Sequence, residues 1–183
     1  KGRPAHRDEV NRILSTVGVE YKGTVEVRHI LQVLYEDVTV KGIQSIVKRP
    51  LKRLRFATHT GCHLIRPSEA LRFDNPLAPK VLDELVEALG LESVDYPQKL
   101  LCCGVGVYGV EANLTLTLLK EKLEDVAKAD AEAMVLVCPF CFLQYDLGQV
   151  QLRKNLGRTI PILFYTQLLG LALGAKPQEL GLD

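Results

Sequence analysis

Apolar residues recur at helical spacing near the start of the chain and in shorter, more regular units after it. The first region contains amphipathic stretches at 7–18, 26–38 and 40–49, which predict three helices. Beyond Pro50, short apolar runs alternate with amphipathic stretches. The runs predict strands at 54–59, 93–97, 133–138 and 161–165, and the stretches predict helices at 79–90, 110–129, 142–155 and 166–174.

Strands separated by helices of this length favour parallel pairing through right-handed crossovers. The run "AMVLV" (133–137) is continuously apolar, as in a strand that is covered on both faces. We therefore predict an α/β fold, a small parallel, Rossmann-like sheet with flanking helices, preceded by a short helical segment. The boundary falls near Pro50, with a helical segment at 1–50 and a cysteine-rich domain at 51–183.

Two segments of the chain share one plan. Residues 10–34 and 150–173 each read as a helix, a glycine, a short extended piece and a second helix with a doubled apolar pair. If this is a true repeat, residues 1–35 are the tail of an earlier copy of the domain. A chance similarity between two amphipathic stretches is the alternative.

Composition and charge exclude several classes of protein. The 183 residues are 47% hydrophobic and 25% charged, and acidic and basic residues mix throughout at a net charge of +1, so no nucleic-acid partner is expected. The longest apolar stretch, 161–174, is too short to span a bilayer. Five cysteines at uneven spacing do not suggest a secreted disulfide framework, which favours a reducing compartment and hence a cytoplasmic location.

The cysteines carry the candidate chemistry. Each lies at or just beyond the end of a predicted strand, and the carboxyl ends of parallel strands meet at one edge of a sheet. Three loops are therefore expected to bring five thiols together: Cys62, Cys102, Cys103, Cys138 and Cys141.

Three interpretations of these cysteines compete. They could be small buried hydrophobic residues, although this explains a C-C pair beside a C-x-x-C poorly. Cys138 and Cys141, in "VCPFC", could form a redox dithiol at a strand-to-helix turn. They could instead bind a metal: four thiolates would satisfy zinc and leave one over, whereas adjacent side chains that diverge reach different atoms of an iron–sulfur cluster more readily.

The surroundings of the cysteines favour a cluster. The windows "LLCCGVGVYG" and "VCPFCFLQY" contain no Lys or Arg, so positive ions would have to offset the thiolate charge. Gly104, Gly106 and Gly109 permit positive φ and could turn backbone N–H groups towards sulfur. Helices starting near 110 and 140 would point their N-termini at the site, while the run 120–132 is predicted to be a solvent-facing helix surface.

Two histidines flank the first cysteine. His59 and His63 could supply a ligand or a proton, because disulfide reduction consumes protons and imidazole titrates near neutrality. His63 is the candidate catalytic residue. A plain hydrogen-bonding role in the loop is the alternative for both.

The order of these motifs resembles a known family. Cys62, the run Cys102-Cys103-Gly104 and the pair Cys138/Cys141 are similar to the five-cysteine pattern of the CCG domain. Together with "VDYPQKLLCCG" and "IPILFYTQLLGLALG", they resemble the second CCG domain of the B subunit of heterodisulfide reductase, so residues 1–50 would be the tail of a first CCG repeat plus a linker.

This resemblance implies a function. The five cysteines would hold a non-cubane [4Fe-4S] cluster, with Gly104 in the cofactor-binding loop, in an oxidoreductase subunit that takes part in cleaving a disulfide of the CoM-S-S-CoB type. The implied partners are a flavin-containing subunit, a ferredoxin-like subunit and a disulfide or thiol substrate. A structural zinc, in a diverged or aerobically prepared form, and a metal-free dithiol/disulfide oxidoreductase are the alternatives.

Two departures from the family pattern matter. The stretch "GVGVYG" is bulkier than the small residues expected after C-C-G, so access to the cluster could differ. The first CCG domain is not in this sequence, so the chain alone is expected to bind a cluster without completing a turnover. Because CCG proteins serve several oxidations and reductions, the substrate stays open.

Overall fold

The computed structural model describes residues 4–182. The first three residues of the predicted helical segment and the last residue of the predicted domain lie outside this range. The chain begins with helix α1 (Pro4–Leu14) and a 3-10 turn (Ser15–Val17). Helix α2 (Ile30–Gln32) continues as a π-helical stretch (Val33–Val38), and α3 spans Val40–Ile46.

The second predicted helix starts later than residue 26. The His29 ring accepts a hydrogen bond from the Leu31 N–H, while the Gln32 side chain accepts one from the His29 N–H. This capping box begins the helix at Ile30, because it satisfies N–H groups that have no partner inside the helix. Thr39, at a φ of 69°, separates this helix from α3.

Four parallel strands form the sheet: β1 (Arg55–His59), β2 (Glu92–Val94), β3 (Ala133–Leu136) and β4 (Ile162–Phe164). Their order is β2-β1-β3-β4, with Ala57 beside both Val94 and Met134. The predicted α/β fold with a small parallel sheet is therefore confirmed. The order reverses between β1 and β3, so the carboxyl ends of these two strands border the usual ligand crevice of such a sheet.

Helices connect the strands. After β1 come α4 (Cys62–Ile65), α5 (Ser68–Leu71) and α6 (Val81–Glu87); a 3-10 turn (Val105–Val107) and α7 (Ala112–Lys128) follow β2, and α8 (Pro139–Leu152) follows β3. Helix α9 (Tyr165–Leu173) and a 3-10 turn (Pro177–Leu180) follow β4. The short elements α4 and α5 and the 3-10 turns were not predicted. Within residues 4–182, no helix combines the length and apolar character that crossing a bilayer requires.

Each face of the sheet has its own core. On one face Leu31 and Ile43, both fully buried, pack with residues of α6 and α9, so α2 and α3 belong to this packing layer. On the other face α7 and α8 cover the sheet, with Leu119 and Tyr145 fully buried. Cys103 and Cys141 lie in this second core, so α7 and α8 set the surroundings of the cysteines.

Candidate metal centre

The first and last cysteine loops lie beside the reversal point of the sheet. Cys62 begins α4, three residues after β1, and Cys138 is the residue that precedes α8, two residues after β3. A Cβ placed on Gly61 would lie 3.4 Å from the Cys138 Cβ, so the two loops meet closely. Pro139 is the first residue of α8, a position that proline favours, and the helix therefore starts earlier than the predicted residue 142.

The adjacent pair reaches the site by a longer path. Strand β2 ends at Val94, so Cys102 follows it by eight residues rather than directly. Hydrogen-bonded turns fill this interval, with the Lys99 N–H bonding to the Tyr96 carbonyl and the Leu101 N–H to the Gln98 carbonyl. The Tyr96 hydroxyl also donates to the Thr58 carbonyl, which holds the loop against β1. The pair thus returns to the edge of the sheet where the other cysteines lie.

The five thiols contact one another in sequence across the three loops. The Cys141 Sγ donates to the Cys103 Sγ at 3.5 Å. Cys102 also lies close enough to Cys62 and to Cys103, and Cys138 close enough to Cys141, to shift the pKa of the neighbouring thiol. Cys103 and Cys141 are buried, Cys62 and Cys138 are half-buried, and Cys102 is exposed. The site therefore extends from the core to the surface.

The contact between Cys103 and Cys141 shifts the pKa values of the two thiols in opposite directions. The hydrogen bond from Cys141 and, to a smaller extent, the Val105 N–H lower the pKa of Cys103 to about 6, against the opposing effect of burial. The same hydrogen bond and burial raise the pKa of Cys141. In the metal-free chain Cys103 is thus the thiolate of the pair, and a thiolate is the form that binds metal.

Backbone N–H groups point at sulfur from the loop that follows the cysteine pair. The Gly104 N–H donates to the Cys102 Sγ at 3.4 Å, and the Val105 N–H bonds to Cys103. Gly104 has a φ of 82°, whereas Gly106 and Gly109 do not have positive φ. Of the three glycines that permit positive φ, only Gly104 adopts it. The Thr115 hydroxyl on α7 fixes the loop by donating to the Gly104 carbonyl at 3.2 Å.

A buried lysine near the cysteines was not predicted from the sequence. Lys122 is only 1% exposed, and its Nζ donates to the carbonyls of Leu101 and, at 3.4 Å, Lys99. Burial lowers the pKa of Lys122 to about 8, while nearby negative charge, chiefly that of Cys103, opposes the shift. The prediction that 120–132 is a solvent-facing helix surface was wrong for Lys122, and a side-chain cation from outside the two cysteine windows lies near the cysteines.

The sequence did hold a signal for this residue. Lys122 lies three residues after Leu119 and four before Val126, so it occupies the apolar stripe of α7. A lysine in such a stripe is buried unless its head group reaches the surface. Here the head group bonds to the loop before Cys102 instead.

His59 lies behind the cysteines and is also buried. Its Nδ1 is 3.3 Å from the Lys122 Nζ, and its ring meets the Tyr145 ring edge-on at a centroid distance of 5.1 Å. Burial, reinforced by the charge of Lys122, lowers the pKa of His59 to about 3, so the ring is neutral. The His59 Nε2 and the Tyr145 hydroxyl are buried and have no hydrogen-bond partner among the described residues. His63 is exposed on α4, and a catalytic role for it stays a prediction.

The arrangement differs from a preformed cage for a single ion. Across residues 4–182, no group of three or more His, Cys, Asp or Glu side chains is placed to hold one metal ion. The donor set consists of five thiols linked by contacts over three loops. Thiolates select iron–sulfur clusters and zinc, and a cluster of several irons uses ligands that are spread more widely than those of one ion. The donor chemistry therefore fits a cluster.

Comparisons with known proteins agree with this pattern. A family model described as a cysteine-rich domain, CCG, matches residues 56–146. The whole chain is 44% identical to the B subunit of a ferredoxin/F420H2-dependent CoB-CoM heterodisulfide reductase of Methanosarcina acetivorans. The chain belongs to the CCG-domain family. The resemblance to the B subunit of heterodisulfide reductase is thereby confirmed.

Other relatives of this CCG chain include a second heterodisulfide reductase subunit and a fumarate reductase subunit. The chain is 41% identical, over its full length, to the B subunit of a ferredoxin:CoB-CoM heterodisulfide reductase of Methanosarcina mazei. It is 35% identical, over 97% of its length, to an 8-methylmenaquinol:fumarate reductase membrane anchor subunit of Wolinella succinogenes. The chain spans 62% of the length of each of these relatives.

Proposed function

We propose that this CCG domain is part of an iron–sulfur redox subunit that takes part in the reductive cleavage of a disulfide of the CoM-S-S-CoB type. Cys62, Cys102, Cys103, Cys138 and Cys141 are the proposed ligands of a non-cubane [4Fe-4S] cluster. The observation that carries the proposal is the line of thiol contacts, centred on the 3.5 Å contact between Cys141 and Cys103, at the reversal point of the sheet.

The polar surroundings support a cluster with anionic sulfur. The Gly104 and Val105 N–H groups donate to the sulfurs of the adjacent pair, and such contacts tune the potential of a cluster. Cys138 and Cys141 lie at the N-terminus of α8, a helix of 14 residues whose dipole favours negative charge at that end. Each feature stabilises thiolates rather than thiols.

The overall reaction consumes two electrons and two protons and converts one disulfide into two thiols. A bound cluster supplies one-electron redox chemistry next to the substrate. The proposed electron sources are a flavin-containing and a ferredoxin-like partner subunit. The chain itself orients the cluster through its five cysteines, and exposed His63, next to Cys62, is the proposed proton donor at the surface of the site.

The chain length bears on turnover. The relatives are longer than this chain, which spans 62% of them. We propose that residues 1–35 are the tail of a preceding CCG repeat and that cleavage needs the clusters of both repeats. Helices α2 and α9 support the repeat, because each has a glutamine as its third residue, Gln32 or Gln167, whose side chain accepts a hydrogen bond from the N–H of the residue before the helix. The proposed location is the cytoplasm.

Metal analysis after anaerobic purification tests the proposal. We expect a brown chain with about four irons and matching acid-labile sulfide, and an EPR signal in the oxidised state. Each single Cys→Ser variant is expected to lower the iron content, and the chain alone is expected to show no disulfide reductase turnover.

Other outcomes would contradict the cluster. A colourless chain with one zinc that does not respond to iron and sulfide would instead support a structural zinc. Reversible, metal-free oxidation of Cys138 and Cys141 with activity in an insulin-reduction assay would support a dithiol oxidoreductase. A chain that completes heterodisulfide reduction by itself would contradict the requirement for a second repeat.

A further inference from the structure

We propose that Lys122 is a positioning residue that supplies the positive charge of the cysteine site, balancing the thiolate-bound cluster and favouring its reduced state. The inference rests on the proposed function, because it requires a redox-active cluster at the five cysteines. Its basis is the placement of a buried ammonium group behind the loop that carries Cys102 and Cys103.

The partners of this ammonium group are all neutral. Lys122 Nζ contacts the carbonyl oxygens of Lys99 and Leu101 and the Nδ1 of His59. Among residues 4–182, no carboxylate oxygen lies within 4.0 Å of this nitrogen. A buried charge of this kind is costly unless an opposite charge lies nearby. The structure must therefore provide an anion for Lys122 other than a carboxylate.

Cysteines bind a cluster as thiolates, and these would supply the negative charge beside Lys122. Within the chain, Cys103 contributes most to favouring the charged form of Lys122. Lys122 is also tied to the cysteine loop through the Leu101 carbonyl, one residue before Cys102. The ammonium therefore keeps its position relative to the thiolates. The neutral His59 ring, whose Nδ1 lies 3.3 Å from the ammonium nitrogen, adds no second cation.

The charge has a redox consequence. Reduction adds one negative charge to a cluster, and a nearby buried cation stabilises that charge. Removing the cation should shift the equilibrium towards the oxidised cluster by about tenfold at a fixed ambient potential, for a separation on the order of 10 Å and an effective dielectric constant of about 20. For a one-electron couple a tenfold shift corresponds to about 59 mV.

Redox titration of the 183-residue chain, purified anaerobically and followed by EPR, tests this inference. Lys122→Gln keeps a hydrogen-bond donor and removes the charge, whereas Lys122→Arg keeps the charge. Lys120→Gln is the matched control, because Lys120 is on the same helix but pairs with Glu124 at the surface. We expect Lys122→Gln to lower the ratio of reduced to oxidised cluster about tenfold, and both other variants to change it less than about threefold.

Each outcome decides the matter. If Lys122→Gln binds iron and titrates like the wild-type chain, the inference is wrong. If Lys122→Gln folds without binding a cluster while Lys122→Arg binds one, the charge is needed and the inference is supported. If neither variant binds a cluster, Lys122 serves packing alone and the inference is wrong. A wild-type chain without redox-active iron would contradict the proposed function, which is a separate failure.

Discussion

Gly104 provides a sharp test of how the cysteine loop is built. It follows Cys103 directly, has a φ of 82° and donates its N–H to the Cys102 Sγ. A Cβ at this position would lie 3.3 Å from the Leu118 Cδ1 and 3.4 Å from the Thr115 Cγ2. Gly104→Ala therefore adds a methyl group where the backbone conformation disfavours it and α7 leaves little room.

The expected cost follows from these two effects. An L-residue in the left-handed region loses about 1–2 kcal/mol relative to glycine. The two close contacts require small shifts of α7 side chains and add to that cost. We expect Gly104→Ala to lower the unfolding free energy of the metal-free chain by about 2 kcal/mol and to lower the iron retained after desalting.

Gly106→Ala is the control for this experiment. Gly106 lies two residues further along the same loop, has no positive φ, and a Cβ there would meet nothing within 4 Å. The unfolding free energy of the Gly106→Ala variant should stay within about 0.5 kcal/mol of the wild-type value. Urea unfolding followed by circular dichroism measures both variants. Equal stability and equal iron retention in the two variants would refute the reasoning about Gly104.

Three further predictions concern residues around the site. The unfolding free energy of the metal-free chain should fall by about 2 kcal/mol from pH 6.5 to pH 5, because His59 in the unfolded chain binds a proton that the folded ring, with its pKa lowered to about 3, does not. Urea unfolding of His59→Gln at the two pH values should lack this loss, and the same pH dependence in the variant would contradict the prediction. Thr115→Val should cost about 1 kcal/mol in urea unfolding by removing the hydrogen bond to the Gly104 carbonyl, while Thr117→Val, at an exposed position, should cost less than about 0.5 kcal/mol; equal costs would refute this. Asp83→Asn should lower the unfolding free energy in urea by about 2 kcal/mol, because the Asp83 carboxylate accepts a hydrogen bond from the Lys99 ammonium at 2.8 Å. Asp95→Asn should leave it nearly unchanged because that carboxylate is 90% exposed, and a larger loss for Asp95→Asn than for Asp83→Asn would be inconsistent with the structure.

The fold and the gathering of the cysteines could be predicted because both depend on patterns that are local in the sequence. Alternating strands and helices imply a parallel sheet, and a parallel sheet brings its loops to one edge. Cys62 and Cys138 follow β1 and β3 closely, so their placement needs nothing more. Cys102 was harder to place because β2 ends eight residues before it, and the turns between depend on contacts such as the Tyr96 hydroxyl with β1.

The missed features depend on tertiary contacts. The residues around Lys122 are mostly charged, as on the surface of a helix, and only the position of Lys122 in the apolar stripe of α7 indicates that it is buried. The positive φ of Gly104, but not of Gly106 or Gly109, follows from the loop's approach to Thr115 on α7. The early start of α8 was signalled by Pro139, which favours the first helical position. Predicting these features requires either the tertiary structure or attention to where each side chain lies within its helix.

X-ray absorption at the iron edge of the anaerobically purified chain would reveal whether the five cysteines share one cluster. We expect iron bound by sulfur, with scattering from neighbouring iron atoms, because five thiols on three loops would hold several irons together. Changing Cys103 to serine should weaken the iron–iron scattering. Iron without iron neighbours, or zinc as the bound metal with no iron signal, would contradict a shared cluster.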